Sequence, residues 1–471
     1  MLKMNNQLKR YLFWFAHEHV DFRLPEMESI FDMFNIKPYT LTRLEEHPYW
    51  IVDLSDENLV HQIASRAVSL RFCLELWAQA KQNEELHNSL KAYSAKNSEP
   101  FARDKKKSFK IVVETFCKHF SQREKINKIE SFSYLPLEGP VKLKNPDITL
   151  FYIEYYGRNP NDIPEEPHEY FFGKWIADGQ RELIQKLSLK TRKFIGNTSM
   201  DPQLSLIMAN QAQIRNGDLV FDPFVGTGSL LIAASQYGGY TFGTDIDFLM
   251  LHGRTRPTRI SQKTREKDES IAANMHQYGM SSYYLDVVVA DFSYPLWRTD
   301  LRIDAIITDP PYGIREATER IGTMKINPVI EEHQATSHIP SKIVYGLNQI
   351  YKDLLCFSAK HLRLHGRLVC WYPLFRDQYM EDQLPAHSCL ELVANSEQIL
   401  SNYTSRRLLT YKKIKEPQAT DESIIMNFTD FREKYFALRE ETRKEKRMRR
   451  AAERAKRREE WERSNKEVTE R

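Results

Sequence analysis

From about residue 186 onward, short apolar strands alternate with helical stretches, and few folds accept that alternation. Residues 219–221, 240–242, 286–290, 303–307 and 367–371 read as strands, with helices at 229–235, 268–277 and 347–361 between them. Further strands at 390–393 and 407–411 close the series. Strands joined through crossover helices lie side by side in one sheet, with helices on its faces and ligands beyond the strands' carboxyl ends. The fold class read from this pattern is α/β, a Rossmann-like, mostly parallel sheet.

The chemistry therefore belongs at those carboxyl ends. The first strand runs into Asp222-Pro223-Phe224-Val225-Gly226-Thr227-Gly228-Ser229 and then a helix. Gly226 and Gly228 let the backbone approach a ligand that a Cβ would exclude, although tight strand–helix packing explains a glycine pair equally well. Asp245, followed by Ile246 and Asp247, ends the second strand where an acid can grip ribose hydroxyls. Asp291 ends the third, placed to accept from an adenine amino group while Phe292 covers the ring. A dinucleotide site would aim a helix N-terminus at a pyrophosphate. Here an acid, Asp222, opens the loop, which suits a cationic aminoacyl or sulfonium group such as those of S-adenosyl-L-methionine.

The fourth strand delivers Asp309-Pro310-Pro311-Tyr312-Gly313. Prolines fix φ and remove backbone donors, so at those two positions the backbone offers a ligand acceptors only. A planar group lying on Tyr312 can donate its amino hydrogens to the Asp309 carboxylate and the Pro310 carbonyl. Methylation of a conjugated amine needs that geometry; taken alone, the segment reads equally well as a proline turn after a strand.

Around this core, residues 1–160 read as an α+β region and 161–185 as a linker, since 157–168 is rich in Pro, Asn and acids. Strands are expected at 11–15, 50–52, 110–113 and 148–155, and a helix at 122–129 entered through the capping box Ser121–Glu124. Residues 82–109 read as a helix end and an exposed lysine-rich loop. The sheet domain spans 186–416, and 425–471 is a basic, charged helical tail. From Phe431 to Arg471 the tail has 16 Lys and Arg against 10 Asp and Glu, enough to account for the whole-chain charge of +4. It reads either as a solvated helix or as an arm contacting nucleic-acid phosphates. The basic insert 254–265 poses the same choice. Arg315, Glu316 and Arg320 either contact substrate phosphate or form an ion-paired helix start. Five scattered cysteines without a Cys-x-x-Cys pair and histidines without ligand spacing imply reduced thiols, a cytoplasmic setting and no metal site in this chain. No apolar run suggests a membrane partner.

These motifs resemble those of the class I amino-methyltransferases. They are most similar to the family of catalytic subunits of eukaryotic tRNA guanosine-10 N2-methyltransferases. The likeness is carried by 172–181, 195–202, 221–228, 243–247 and 308–316, and more loosely by Asn145-Pro146-Asp147, which is similar to a THUMP domain. The resemblance implies a seven-stranded methyltransferase sheet behind a THUMP-containing domain that grips tRNA. It implies S-adenosylmethionine held by Thr198, Ser199, Asp222, Phe224, Gly226, Gly228, Asp245, Ile246, Asp291 and Phe292. Asp309, Pro310 and Tyr312 would act on guanine, and a small zinc-binding activator subunit would complete a heterodimer. Lys174 stands where the family pattern has Arg, keeping the charge but not the bidentate fork. Three other readings share the residues. One is an adenine-N6 nucleic-acid methyltransferase, another a protein-glutamine methyltransferase, and the third a non-catalytic RNA-binding scaffold.

Overall fold

The computed structural model of the protein describes residues 8–38, 40–43, 47–260, 262–324, 340–418, 421, 423–424, 431–439, 443–444, 447–448 and 451. The first sheet contains β1 (Lys9–Phe15), β2 (Thr40–Arg43), β3 (Tyr49–Leu54), β4 (Leu70–Ala80), β5 (Phe109–Phe116), β6 (Ile148–Tyr155) and β7 (Glu169–Asp178). Their spatial order is β2-β3-β1-β4-β7-β6-β5. The period of two along β1 explains why it lies inside. Tyr11, Phe13 and Phe15 enter one core with Met27, Ile30 and Trp50, while Leu12 and Trp14 enter another with Phe72, Leu74 and Phe171.

The expected linker is the main correction to the domain plan. β7 is a ten-residue strand hydrogen-bonded between β4 and β6, with Phe171 and Phe172 fully buried. The Pro- and Asn-rich stretch before it is only the loop that returns the chain from β6. Gly173 permits the bulged pairing, because a Cβ there would lie 2.4 Å from the Glu75 carbonyl oxygen. The span 82–109 is likewise more ordered than composition suggests, forming the helices Asn83–Lys96 and Ser98–Asp104. The capping box at Ser121 and Glu124 forms.

The second sheet takes β8 (Leu219–Asp222), β9 (Tyr240–Asp245), β10 (Tyr284–Val289) and β11 (Ile303–Thr308). A separate ribbon pairs β12 (Glu319–Ile321) with β13 (Lys342–Val344), and the main sheet continues through β14 (Leu362–Phe375), β15 (Ala386–His387), β16 (Leu390–Ile399), β17 (Thr404–Lys413) and β18 (Ser423–Ile424). The order is β10-β9-β8-β11-β14-β17-β16-β15-β18. Its first seven strands are the expected sheet, and two-residue strands extend the far edge. The pairings from β10 to β14 are parallel and those beyond are antiparallel. Strand order reverses between β8 and β11, which opens a crevice at their carboxyl ends. Most of the tail 425–471 lies outside the described residues, but 431–439 is helical, with Phe431 buried against Phe375.

A polar network fastens the two domains. Glu26 is fully buried and accepts from the Val68 and Ser69 amides at 2.8 and 3.0 Å, from the Ser69 hydroxyl, and from Asn210 Nδ2 at 2.7 Å. Arg66 donates to Asn210 Oδ1 at 2.9 Å and lies on the Tyr237 ring. Arg367 reaches Ser29 Oγ at 2.9 Å and the Gln211 carbonyl at 2.8 Å. Cutting Glu26 to Ala strands several buried donors at once, so Glu26→Ala should cost about 3 kcal/mol in chemical denaturation. A change below about 0.5 kcal/mol would mean that water replaces the carboxylate without loss.

Candidate active site

Two cavities meet at the crevice between β8 and β11. The larger, about 440 Å³, is walled by the loop after β8, the loop after β11 and the start of β17. The smaller, about 270 Å³, lies over the ends of β9 and β10. They share Phe224, Pro311, Arg315 and Glu316 as a common wall.

All but two of the sequence candidates divide between them. Thr198, Ser199, Asp222, Gly226, Asp309, Pro310 and Tyr312 line the larger cavity. Asp245, Ile246, Asp291 and Phe292 line the smaller, and Phe224 faces both. Gly228 lines neither. Its φ of +77° makes the turn into the helix Ser229–Gln236, and a Cβ would lie 2.8 Å from Ile271 Cγ2. Gly228 is therefore a packing glycine, whereas a Cβ on Gly226 (φ +52°) would meet no protein atom within 4 Å and would intrude on cavity space.

Asp222 organises the loop. Its Oδ1 accepts from the Phe224 amide at 3.0 Å and from Thr308 Oγ1 at 2.7 Å, tying the end of β8 to the end of β11. Burial pushes its carboxyl up to about 7, with Asp245 and Asp309 adding repulsion while the two hydrogen bonds oppose the rise. Asp245 accepts from the Gly226 and Asp247 amides at 2.8 Å each, which locks the glycine loop over β9. Asp291 accepts from the Ser293 amide at 2.8 Å and the Ile321 amide at 2.5 Å. Its first task is thus to hold β12 above the smaller cavity, a use that the adenine reading did not include. Phe224 and Phe292 meet edge to face at 5.3 Å in that cavity's wall.

The shelf is more occupied than its sequence suggested. Asp309 Oδ1 accepts from the Tyr312 hydroxyl, and Oδ2 pairs with Arg406 at 3.0 Å. A target amine therefore meets a carboxylate already engaged at both oxygens, each with a further lone pair to offer. Burial raises the Asp309 carboxyl, while Arg406 and the Tyr312 hydroxyl pull it back.

Behind the shelf the chain folds over both cavities. Thr198 Oγ1 donates to Glu316, and Arg315 donates to the Asn197 carbonyl at 3.1 Å. Ser199 and Thr227 share a hydrogen bond of 2.6 Å. Arg315 and Glu316 thus clamp the 196–201 segment and lead into β12, not into a helix. In the basic insert, Arg265 is consumed by Glu269 at 2.6 Å and by the Thr255 carbonyl, and Arg259 donates to the Lys193 carbonyl. These two arginines serve the fold, not an RNA surface.

The site fits an adenosyl cation. Carboxylates outnumber cations around both cavities, Gly226 leaves room that a Cβ would take, and the aromatic end of the smaller cavity suits a flat base. Sequence reasoning missed Arg406 and Lys342, which line the larger and the smaller cavity respectively. Adjacent arginines at 406 and 407 inside an apolar strand were the one available signal, since each needs a partner in the fold.

Two domain-family models match the chain: "Tmrp11 THUMP N-terminal domain" over residues 9–181 and "RMKL-like, methyltransferase domain" over 190–325. The sequence is 46% identical over 440 residues to "tRNA (guanine(10)-N(2))-methyltransferase TRMT11" of Bos taurus, covering 91% of this chain and 95% of that one. It is 46% identical over 443 residues to the Homo sapiens protein of that name, covering 91% and 96%. The Dictyostelium discoideum protein of that name is 35% identical over 438 residues, covering 87% and 83%. Among solved structures, TrmN from Thermus thermophilus aligns at TM-score 0.42 and 16% identity over 86% of this chain and 100% of that one, too distant to bear on the site.

A cation beside Asp222 needs the carboxylate form. Affinity for a cationic adenosyl ligand should therefore hold steady above pH 7 and fall by up to about tenfold per unit below it. Asp222→Asn should flatten that profile in equilibrium binding, and a pH-independent affinity in the unaltered protein would exclude the contact.

Proposed function

The chain belongs to the tRNA (guanine(10)-N(2))-methyltransferase family, and from that premise we propose that it methylates the exocyclic N2 of guanosine 10 in tRNA with S-adenosylmethionine as donor. One observation carries the reading: a shelf for a planar amine and a buried acid for a cation face each other across the same strand reversal, joined by the Thr308–Asp222 hydrogen bond.

When bound, the donor supplies an electrophilic methyl group on a sulfonium. The chain's residues do the rest by position and charge. Asp222 attracts the cationic end, Gly226 clears its path, and Phe224 with Phe292 bounds the adenosine. Pro310 and Pro311 leave carbonyls free to accept, and the Tyr312 ring supports the plane of the base. The N2 hydrogens point to Asp309 and to the Pro310 carbonyl, which aims the nitrogen lone pair across the cavity. As the N–C bond forms and the C–S bond breaks, the positive charge passes to the base. The surplus proton then leaves N2 for the Asp309 carboxylate or for water. A guanine paired in a helix cannot reach the shelf, so it is extruded at a cost of about a few kcal/mol.

The separate N-terminal domain, fastened rigidly by Glu26 and Arg66, supports a large RNA substrate over a peptide. The proposal includes a small zinc-binding activator subunit. Its support is β10, the outermost strand of the parallel edge, which leaves Leu285, Val288 and Val289 at 54%, 51% and 39% exposure. Cytoplasmic residence belongs to the same proposal, and five scattered cysteines with no Cys-x-x-Cys pair support it.

Incubation of the full chain with the activator, labelled donor and unmodified tRNA should yield N2-methylguanosine on nucleoside digestion. N6-methyladenosine would contradict the reading. Asp309→Ala should lower kcat by about a thousandfold while donor affinity changes less than about threefold. Turnover near that of the unaltered enzyme would remove Asp309 from the mechanism. Leu285→Asp combined with Val288→Asp should abolish copurification with the activator, and an intact complex would place the activator elsewhere.

A further inference from the structure

Arg406 enters the larger cavity from β17, nearly a hundred positions from the shelf in sequence. Its Nη1 donates to Asp309 Oδ2 at 3.0 Å, its Nε donates to Gln398 Oε1 at 2.7 Å, and its Nη2 lies 3.5 Å from Met200 Sδ. The guanidinium carbon sits 3.9 Å from the centre of the Trp371 ring. A side chain with several free rotations is thus held along its edges and on one face, and its ion pair with Asp309 points at the shelf. The neighbouring Arg407 turns the other way, to Asn395 and the Tyr379 ring, as alternation along a strand requires.

The surroundings of Asp309 give that ion pair its meaning. Asp222 from the end of β8 and Glu316 from beyond the shelf bring like charge, while Tyr312, Tyr351 and Cys370 bring groups that are neutral near pH 7. Burial favours a neutral Asp309, and Asp309 in turn raises the Asp222 and Glu316 carboxyls. A neutral carboxyl would carry its own proton into the space where the amine must donate, and it would be a poor proton acceptor. Arg406 supplies the opposing charge.

We infer that Arg406 is a positioning residue for methyl transfer, holding the Asp309 carboxylate ionised and turned so that its unshared lone pairs face the target amine. The inference rests on the reading of the site as an N2-methyltransferase. Arg406 acts through Asp309, so its loss should appear in turnover and in the pH at which turnover begins, and not in donor binding. A lysine keeps a point charge but loses the planar, ring-stacked fork, so it should preserve the onset pH better than the rate.

The test uses the full chain with its activator, unmodified tRNA and saturating donor, comparing Arg406→Gln and Arg406→Lys with the unaltered enzyme. Arg406→Gln should lower kcat about a hundredfold, leave the dissociation constant of S-adenosylhomocysteine within about threefold, and move the acid limb of the kcat profile up by about one pH unit or more. Arg406→Lys should lose less rate and keep the limb within about half a unit of its original position. An unmoved acid limb in both variants overturns the inference, as does unchanged kcat. Should Arg406→Gln fail to bind S-adenosylhomocysteine, Arg406→Lys decides alone: reduced kcat with retained binding and limb supports the role, and an unaltered kcat overturns it. Failure of the unaltered enzyme to form N2-methylguanosine would instead refute the underlying reading.

Discussion

The strand reversal between β8 and β11 is the constraint from which the rest follows. Parallel neighbours on either side of that point send their loops apart, and the gap they leave is where a ligand fits. The Thr308 hydroxyl on Asp222 Oδ1 closes the base of this gap and sets the distance between donor loop and acceptor shelf. Both ends are buried and both are locked by backbone amides or proline, so neither can drift without loss of the other. Catalysis that depends on positioning needs this kind of floor.

On that floor sits an unusual density of acid. Asp222, Asp245, Asp309 and Glu316 are all raised by burial, an arrangement costly to an empty protein and favourable to a cationic ligand. In the proposed reaction, charge selects the donor, while shape selects the acceptor. Arg406 is the counterweight on the acceptor side, and its distance in sequence from Asp309 shows how the antiparallel half of the sheet contributes to a site defined by the parallel half. The N-terminal sheet contributes by rigidity. Glu26, Arg66 and Arg367 make the two domains one body, so an RNA held on one presents a fixed point to the other.

Most of the fold and of the site was legible because the signals were local. Apolar strands, glycine turns and acids at strand ends occupy consecutive positions, and the resulting candidates line two joined cavities. The exceptions have physical causes. β7 was hidden because Pro and Asn in the preceding loop look like a linker, while its pairing partners lie far away in sequence. Gly228 has the composition of a ligand loop but packs on Ile271, a contact that no spacing reveals. Asp291 was read by its place at a strand end, yet its oxygens hold backbone amides from a ribbon formed much later in the chain. Arg406 was missed for a similar reason: adjacent arginines in a strand signal that each needs a partner, but an ion pair bridging 97 positions does not say which.

The most direct test of the account is a crystal structure of the protein with S-adenosylhomocysteine. The adenine should lie in the smaller cavity between Phe224 and Ile246, and the amino-acid end should lie beside Asp222. The sulfur should face the gap between Gly226 and Asp309, where a methyl group would meet an amine. A product molecule seated elsewhere, or one whose sulfur points away from the Asp309–Tyr312 shelf, would contradict the claim that these two strand ends form one reaction centre.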